Sequence, residues 1–173
     1  MTDKLTPEQR HRCMSRIRSK NTRPEMLVRK FLFAHGFRYR VNVRTLPGTP
    51  DIVLRRFKTA IFINGCFWHG HEGCRYYVLP KSNVEFWERK IERNRNRDSN
   101  RDTANQMRLR LMGWSVVQIW ECQLKPNKRH DTLEGLLSIL NRQVLHTYSE
   151  KEYNIADPAE QIAAEEKTVY KKD

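Results

Sequence analysis

The chain has 173 residues, enough for one domain with a real core and peripheral arms. With 33 Lys and Arg against 20 Asp and Glu, a formal charge of +13 and a hydrophobic fraction of only 38%, it is suited to a polyanionic partner. No apolar run approaches the roughly 20 residues of a membrane span and no signal peptide opens the chain. The basic residues are dispersed among polar ones instead of lining an apolar helix, so nucleic acid is favoured over an acidic membrane, and a cytoplasmic location is expected.

Thr6-Pro7-Glu8-Gln9 reads as a capping box with proline at the first helical position, which predicts a short helix from Pro7 to Ile17. Arginines surround it and it has little apolar surface to bury, so residues 1–22 are expected to form a basic arm. Cys13 stands alone there and reads as a small side chain. A second helix is predicted from Pro24 to His35, capped by Thr22 and ended by Gly36, with Met26, Leu27, Phe31 and Leu32 on its apolar face. Phe37 to Val43 alternates with arginines and predicts a half-solvated strand. The turn Leu46-Pro47-Gly48-Thr49-Pro50 delivers Asp51 to the start of a short strand ending at Leu54. Thr59 to Ile63 is apolar enough for a buried central strand.

A helical region is then expected from Val84 to Met112, presenting Phe86, Ile91, Met107 and Leu111 and ended by Gly113. Trp114 to Trp120 predicts a strand, reached by a helical crossover and therefore parallel to the central one. A last helix from Thr132 to Val144 uses Leu133, Leu136, Leu137 and Leu140 as core. The order of elements gives an α/β fold with a central mixed sheet, a core domain over 23–146, and an acidic tail over 147–173. The charge follows this division. Residues 1–50 carry 12 basic and 3 acidic side chains and residues 81–110 carry 9 and 5, whereas from Ser149 onward 4 basic face 7 acidic.

The chemistry concentrates in Gly65-Cys66-Phe67-Trp68-His69-Gly70-His71-Glu72-Gly73-Cys74. Thiolate and imidazole together suit tetrahedral zinc, and Cys66, His71, Cys74 and the distant Cys122 can close a four-ligand structural site. Four cysteines without a secretory signal argue against a disulfide framework. His69 competes with His71 for the metal role; left outside it, His69 is a candidate proton acceptor. Asp51, at the mouth of a strand, is a hard oxygen ligand suited to Mg²⁺ near a phosphate. Glu25, in the first turn of a helix, reads by position alone as complementing the helix dipole. Phe67 and Trp68 form an apolar pair in a basic chain, readable as core packing or as a wedge between base pairs that Trp87 joins.

Pro-Gly-x-Pro-Asp at Pro47 to Asp51, Gly65-Cys66-Phe67-Trp68-His69-x-His71, Glu85-Phe86-Trp87 and Trp120-Glu121-Cys122 together resemble the very short patch repair endonucleases, bacterial enzymes that nick DNA at mismatches. The match runs from about Lys20 to Leu145, and the joint motif set is highly specific. The resemblance implies a restriction-endonuclease-like core and hydrolysis of duplex DNA 5′ to a thymine mispaired with guanine. It implies that Asp51 and the backbone carbonyl of Ile63 bind Mg²⁺, that His69 handles the proton, and that Glu25 helps shape the catalytic site. Cys66, His71, Cys74 and Cys122 match the structural Zn²⁺ ligands, and Phe67, Trp68 and Trp87 the aromatics that enter the duplex. The basic arm matches a segment that clasps DNA; a monomer on DNA, working alongside mismatch-repair proteins, is expected. Two features depart from the family's pattern: Ile63-Asn64 stands where Thr-His is frequent, and one extra residue separates His71 from Cys74. Two rival readings remain: a nuclease of the same fold cutting another lesion or a specific sequence, and a zinc-stabilised DNA-binding module without catalysis.

Overall fold

A computed structural model describes residues 20–153, together with isolated positions between 6 and 18. Most of the helix predicted over Pro7 to Ile17, Cys13 within it, and residues 154–173 of the tail lie outside the described residues. Thr6 and Gln9 do cap reciprocally: Thr6 N–H donates to Gln9 Oε1 at 3.0 Å and Gln9 N–H to Thr6 Oγ1 at 3.2 Å.

Helix α1 spans Arg23–Ala34, with Thr22 as its N-cap. It ends in a left-handed glycine: Gly36 N–H donates to Phe33 O at 3.1 Å and Phe37 N–H to Leu32 O at 3.0 Å, which turns Phe37 into the core. The strands follow as β1 (Arg40–Val41), β2 (Ile52–Leu54) and β3 (Thr59–Asn64). The predicted strand over Phe37 to Val43 keeps only two residues in the ladder, both exposed. Helix α2 (Val84–Arg97), a π-helical segment (Asp98–Asp102) and helix α3 (Thr103–Leu111) form the predicted helical crossover. α3 closes as α1 does, with Gly113 N–H on Arg110 O and Trp114 N–H on Leu109 O, both 2.9 Å. Strand β4 (Ser115–Trp120) and helix α4 (Pro126–Tyr153) complete the chain, with a short 3-10 turn at Glu121–Leu124 between them. The predicted last helix is thus longer at both ends and runs past the boundary placed at 147.

The sheet has the order β1-β2-β3-β4, antiparallel at the first two pairings and parallel between β3 and β4. The parallel register runs from Thr59 beside Ser115 to Asn64 beside Trp120, so the two strands end side by side. One apolar cluster joins Val28 and Leu32 of α1, Ile52, Leu54, Ile61 and Ile119 of the sheet, and Leu133, Leu136 and Leu140 of α4. The crossover contributes less than its sequence promised. Among the described residues only Ile91 and Leu109 are buried there, whereas Phe86 is 52%, Met107 59% and Leu111 82% exposed; Met26 of α1 is exposed as well. The reason lies in what α2 rests on. Its inner face meets the loop after β3 through Trp87 and Ile91 and through hydrogen bonds from Asn94 and Arg95 to loop carbonyls, so part of that face is polar.

Candidate functional site

The loop leaving β3 folds into a knot around four soft donors. Cys66, His71, Cys74 and Cys122 each offer one ligand atom, and these atoms lie within 4.8 Å of one another. A tetrahedral ion with bonds of about 2.0–2.3 Å needs donors at that separation, so the set fits a metal ion and leaves no open coordination position. His71 Nδ1 stands 3.6 Å from Cys122 Sγ, and Cys122 N–H donates to Cys66 Sγ at 3.3 Å. Burial pushes the Cys66 thiol up to about 12, with the neighbouring thiols adding to the rise and the Cys122 N–H opposing it. A bound cation reverses that preference and holds the thiolate.

Two elements hold the knot. From α2, Asn94 Nδ2 donates to Trp68 O at 2.8 Å, and Arg95 donates to Gly70 O through Nε at 3.0 Å and Nη2 at 2.7 Å. A side chain at Gly70 would collide with Arg95 and Ile91, and its φ of +55° already favours glycine. From the end of β4, Trp120 stacks on His71 with ring centroids 3.9 Å apart. The knot also gathers the aromatics. Phe67 lies 5.2 Å from Trp68 and 5.3 Å from Trp87, and the two indoles are 6.1 Å apart, all half-buried. Trp87 comes from α2, so the crossover helix completes the cluster begun by the loop.

A carboxylate pocket lies beside the β2–β3 pair. Asp51, just before β2, accepts from Ile63 N–H at 2.8 Å. Burial lifts its carboxyl to about 6, and the negative charge of Glu25 adds to the rise; the Ile63 N–H, Arg29 and His69 pull it back. Glu25 and Arg29 are buried at 4% and 5% exposure and pair at 2.8 Å, one turn apart on α1. Glu25 also accepts from Thr22 Oγ1 at 2.8 Å and Asn21 N–H at 3.0 Å, and Arg29 Nη1 donates to Asn21 Oδ1 at 2.6 Å. The first-turn glutamate is therefore more than a dipole partner: it ties the root of the arm to the neighbourhood of Asp51. His69 sits half-buried with its N–H on Gly65 O at 3.2 Å and its ring edge-on to Trp120 at 6.1 Å. Two carboxyl groups within electrostatic reach of each other, Asp51 half-buried and Glu25 buried, would suit a divalent cation that relieves their repulsion.

Known proteins match this chain across the segment that builds both sites. It is 49% identical over 124 residues to the type II nicking enzyme V.XorIIP of Xanthomonas oryzae pv. oryzae, covering 72% of this chain and 88% of the relative. It is 50% identical over 125 residues to the type II nicking enzyme V.NmeAIP of Neisseria meningitidis serogroup A, covering 72% and 86%. It is 37% identical over 127 residues to the DNA mismatch endonuclease Vsr of Escherichia coli (strain K12), covering 73% and 76%. The model of the family described as DNA mismatch endonuclease Vsr matches residues 2–75. The chain belongs to the Vsr endonuclease family.

As a member of the Vsr family it is a strand-nicking endodeoxyribonuclease that binds DNA. No described helix is long and apolar enough to cross a membrane. The stretch matched by the family model contains Glu25, Asp51, Ile63, Cys66, Phe67, Trp68, His69, His71 and Cys74, and the fold adds Cys122 and Trp87 from beyond it. Two residues of the site escape a reading of the sequence. Arg29 is signalled by its four-residue spacing from Glu25. Trp120 figures in the sequence only as part of the Trp120-Glu121-Cys122 motif, and its place against the loop's imidazoles appears only when the β3–β4 register sets it beside Asn64.

Proposed function

We propose that this Vsr-family chain nicks one strand of duplex DNA 5′ to the thymine of a T·G mismatch, with Mg²⁺ as catalytic ion and Zn²⁺ in the knot, in very short patch mismatch repair. The observation that carries the reading is the Asp51 carboxylate held at the end of β3 by the Ile63 N–H at 2.8 Å, within electrostatic reach of Glu25, Arg29 and His69. Asp51 and the carbonyl of Ile63 would hold Mg²⁺, whose chemistry when bound is to polarise the scissile phosphodiester as a Lewis acid. His69 takes the proton of the attacking water. Glu25, with both oxygens engaged by Asn21, Thr22 and Arg29, contributes to the field around Asp51. Phe67, Trp68 and Trp87 present a joined aromatic surface suited to entering an unstacked base step, at a cost of a few kcal/mol that a mismatch lowers. Cys66, His71, Cys74 and Cys122 would hold Zn²⁺, a closed set that braces the loop without activating water. The chain acts as a monomer on DNA in the cytoplasm, alongside mismatch-repair proteins, with the basic arm clasping phosphates.

The test is a panel of end-labelled duplexes carrying each mismatch in varied flanking sequence, incubated with Mg²⁺ and resolved on a denaturing gel. A single nick 5′ to the mispaired thymine, abolished in Asp51→Ala and slowed by about 10²–10⁴-fold to a measurable residual rate in His69→Ala, with both proteins still binding, is the expected result. Equal cleavage of matched duplex would replace this reading by a sequence- or lesion-specific nuclease of the same fold. Binding without any Mg²⁺-dependent nicking would leave a zinc-stabilised DNA-binding module.

A further inference from the structure

Trp120 is the last residue of β4 and stands opposite Asn64, the last of β3. Its indole lies flat on the His71 imidazole, with centroids 3.9 Å apart and planes 7° apart. The same indole meets the His69 ring edge-on, at 6.1 Å and 82°. One rigid side chain therefore touches both imidazoles of the loop, one a donor of the metal knot and the other outside it. Its own backbone is pinned: Trp120 N–H donates to Gln123 Oε1 at 2.7 Å, and Cys122, two residues on, is a donor of the same knot.

We propose that Trp120 is a positioning residue for strand cleavage, fixing the His69 ring by bracing it against the His71 side of the metal knot. The proposal rests on the reading of His69 as the group that accepts the water proton. The second side-chain torsion of a histidine is soft, so the contacts on its ring decide its orientation, and the Trp120 edge is one of those contacts on His69. The His71 ring lacks that freedom once it donates to a metal. An indole stacked on it inherits the restraint, and its edge then closes off part of the space open to His69. The ring is thereby oriented before DNA arrives, and a base misplaced by as little as an ångström costs up to about a hundredfold in rate.

The experiment compares Trp120→Leu and Trp120→Phe in the wild-type and His69→Ala backgrounds of the full chain. It measures bound metal, melting temperature, duplex affinity and single-turnover nicking at saturating Mg²⁺. Trp120→Leu should nick on the order of tenfold to a hundredfold more slowly while metal content and affinity stay within about twofold, and Trp120→Phe, which keeps a flat ring on His71, should recover much of the rate. The effect should vanish in the His69→Ala background, because a residue acting through His69 has nothing left to act on. An unchanged rate in Trp120→Leu, a full loss that persists without His69, or metal lost in step with rate in both variants would each overturn the positioning role and leave Trp120 as support for the knot. Normal nicking by His69→Ala alone would instead remove the proton-acceptor reading, and the proposal with it.

Discussion

The metal knot and the carboxylate pocket both start from the end of β3, and they solve the problem of buried charge in opposite ways. The knot takes three of its four donors from Cys66 to Cys74 and the fourth from the turn after β4. Its charges would answer to an ion that the four donors surround, in which case building the site and stabilising the loop are the same event. The pocket draws on α1, the approach to β2, the backbone of β3 and the knot loop, and balances its charges internally. That balance is incomplete. Glu25 has Arg29, but Asp51 is left with a carboxyl raised to about 6, and Arg29 Nε is buried with no hydrogen-bond partner among the described residues. The knot would gain stability with an ion, whereas the pocket gives some up to hold the Asp51 carboxyl away from its ordinary value.

Removing a donor from the knot gives the largest expected effect. Cys122→Ser should lose its metal and melt on the order of 10 °C lower or more, since several kcal/mol of folding energy leave with the ion and each kcal/mol is worth about 2–4 °C at this size. Metal analysis and calorimetry check this, and a zinc-free protein with an unchanged transition would break the contrast. Next comes the internal pair. Arg29→Met leaves Glu25 buried without its cation and should cost roughly 3–5 kcal/mol in denaturant unfolding, most of it regained in Glu25→Gln/Arg29→Met.

Asp51→Asn should act in the opposite direction, abolishing nicking while raising stability. A pKa lifted from 3.8 to about 6 corresponds to at most roughly 3 kcal/mol held against the folded state when Asp51 is ionised. The sign follows from the raised value: the folded chain binds this proton more tightly than the unfolded one. The stability it lends is complete below about pH 4 and is lost as pH rises through about 6. The advantage of Asp51→Asn should therefore be absent at pH 4 and fully developed by pH 7, and an advantage independent of pH would mean that the carboxyl's charge is not its cause. The smallest effect sharpens the electrostatic side alone. Deleting the first ~20 residues should weaken DNA binding and flatten its salt dependence by about 0.9 for each phosphate the arm neutralises, with no change in bound metal. A salt slope equal to that of the full chain would exclude the arm as a phosphate clamp.

Much of this architecture could be read from the residues alone because it is local. The Thr22 cap and the Gly36 and Gly113 stops depend on neighbours within a few turns of chain, and the helical crossover between β3 and β4 made their parallel pairing the expected one. The knot was legible for the same reason: cysteine and histidine at short spacing have few other uses. What resisted was packing. Phe86 and Leu111 look like core by side-chain type, yet both are exposed; on α2 it is Trp87, Ile91, Asn94 and Arg95 that face the loop, and Phe86 does not join them in burial.

The sequence by itself thus determined which elements form, the donor set of the knot and the family. Tertiary structure alone decided that Glu25 and Asp51 share one electrostatic neighbourhood and that one indole spans His69 and His71. Both depend on how α1 docks and on the register of two strands whose residues are more than fifty positions apart. Local preferences carry no information about such a register; it is fixed by the burial of the sheet's apolar residues against α1 and α4, a property of the whole core.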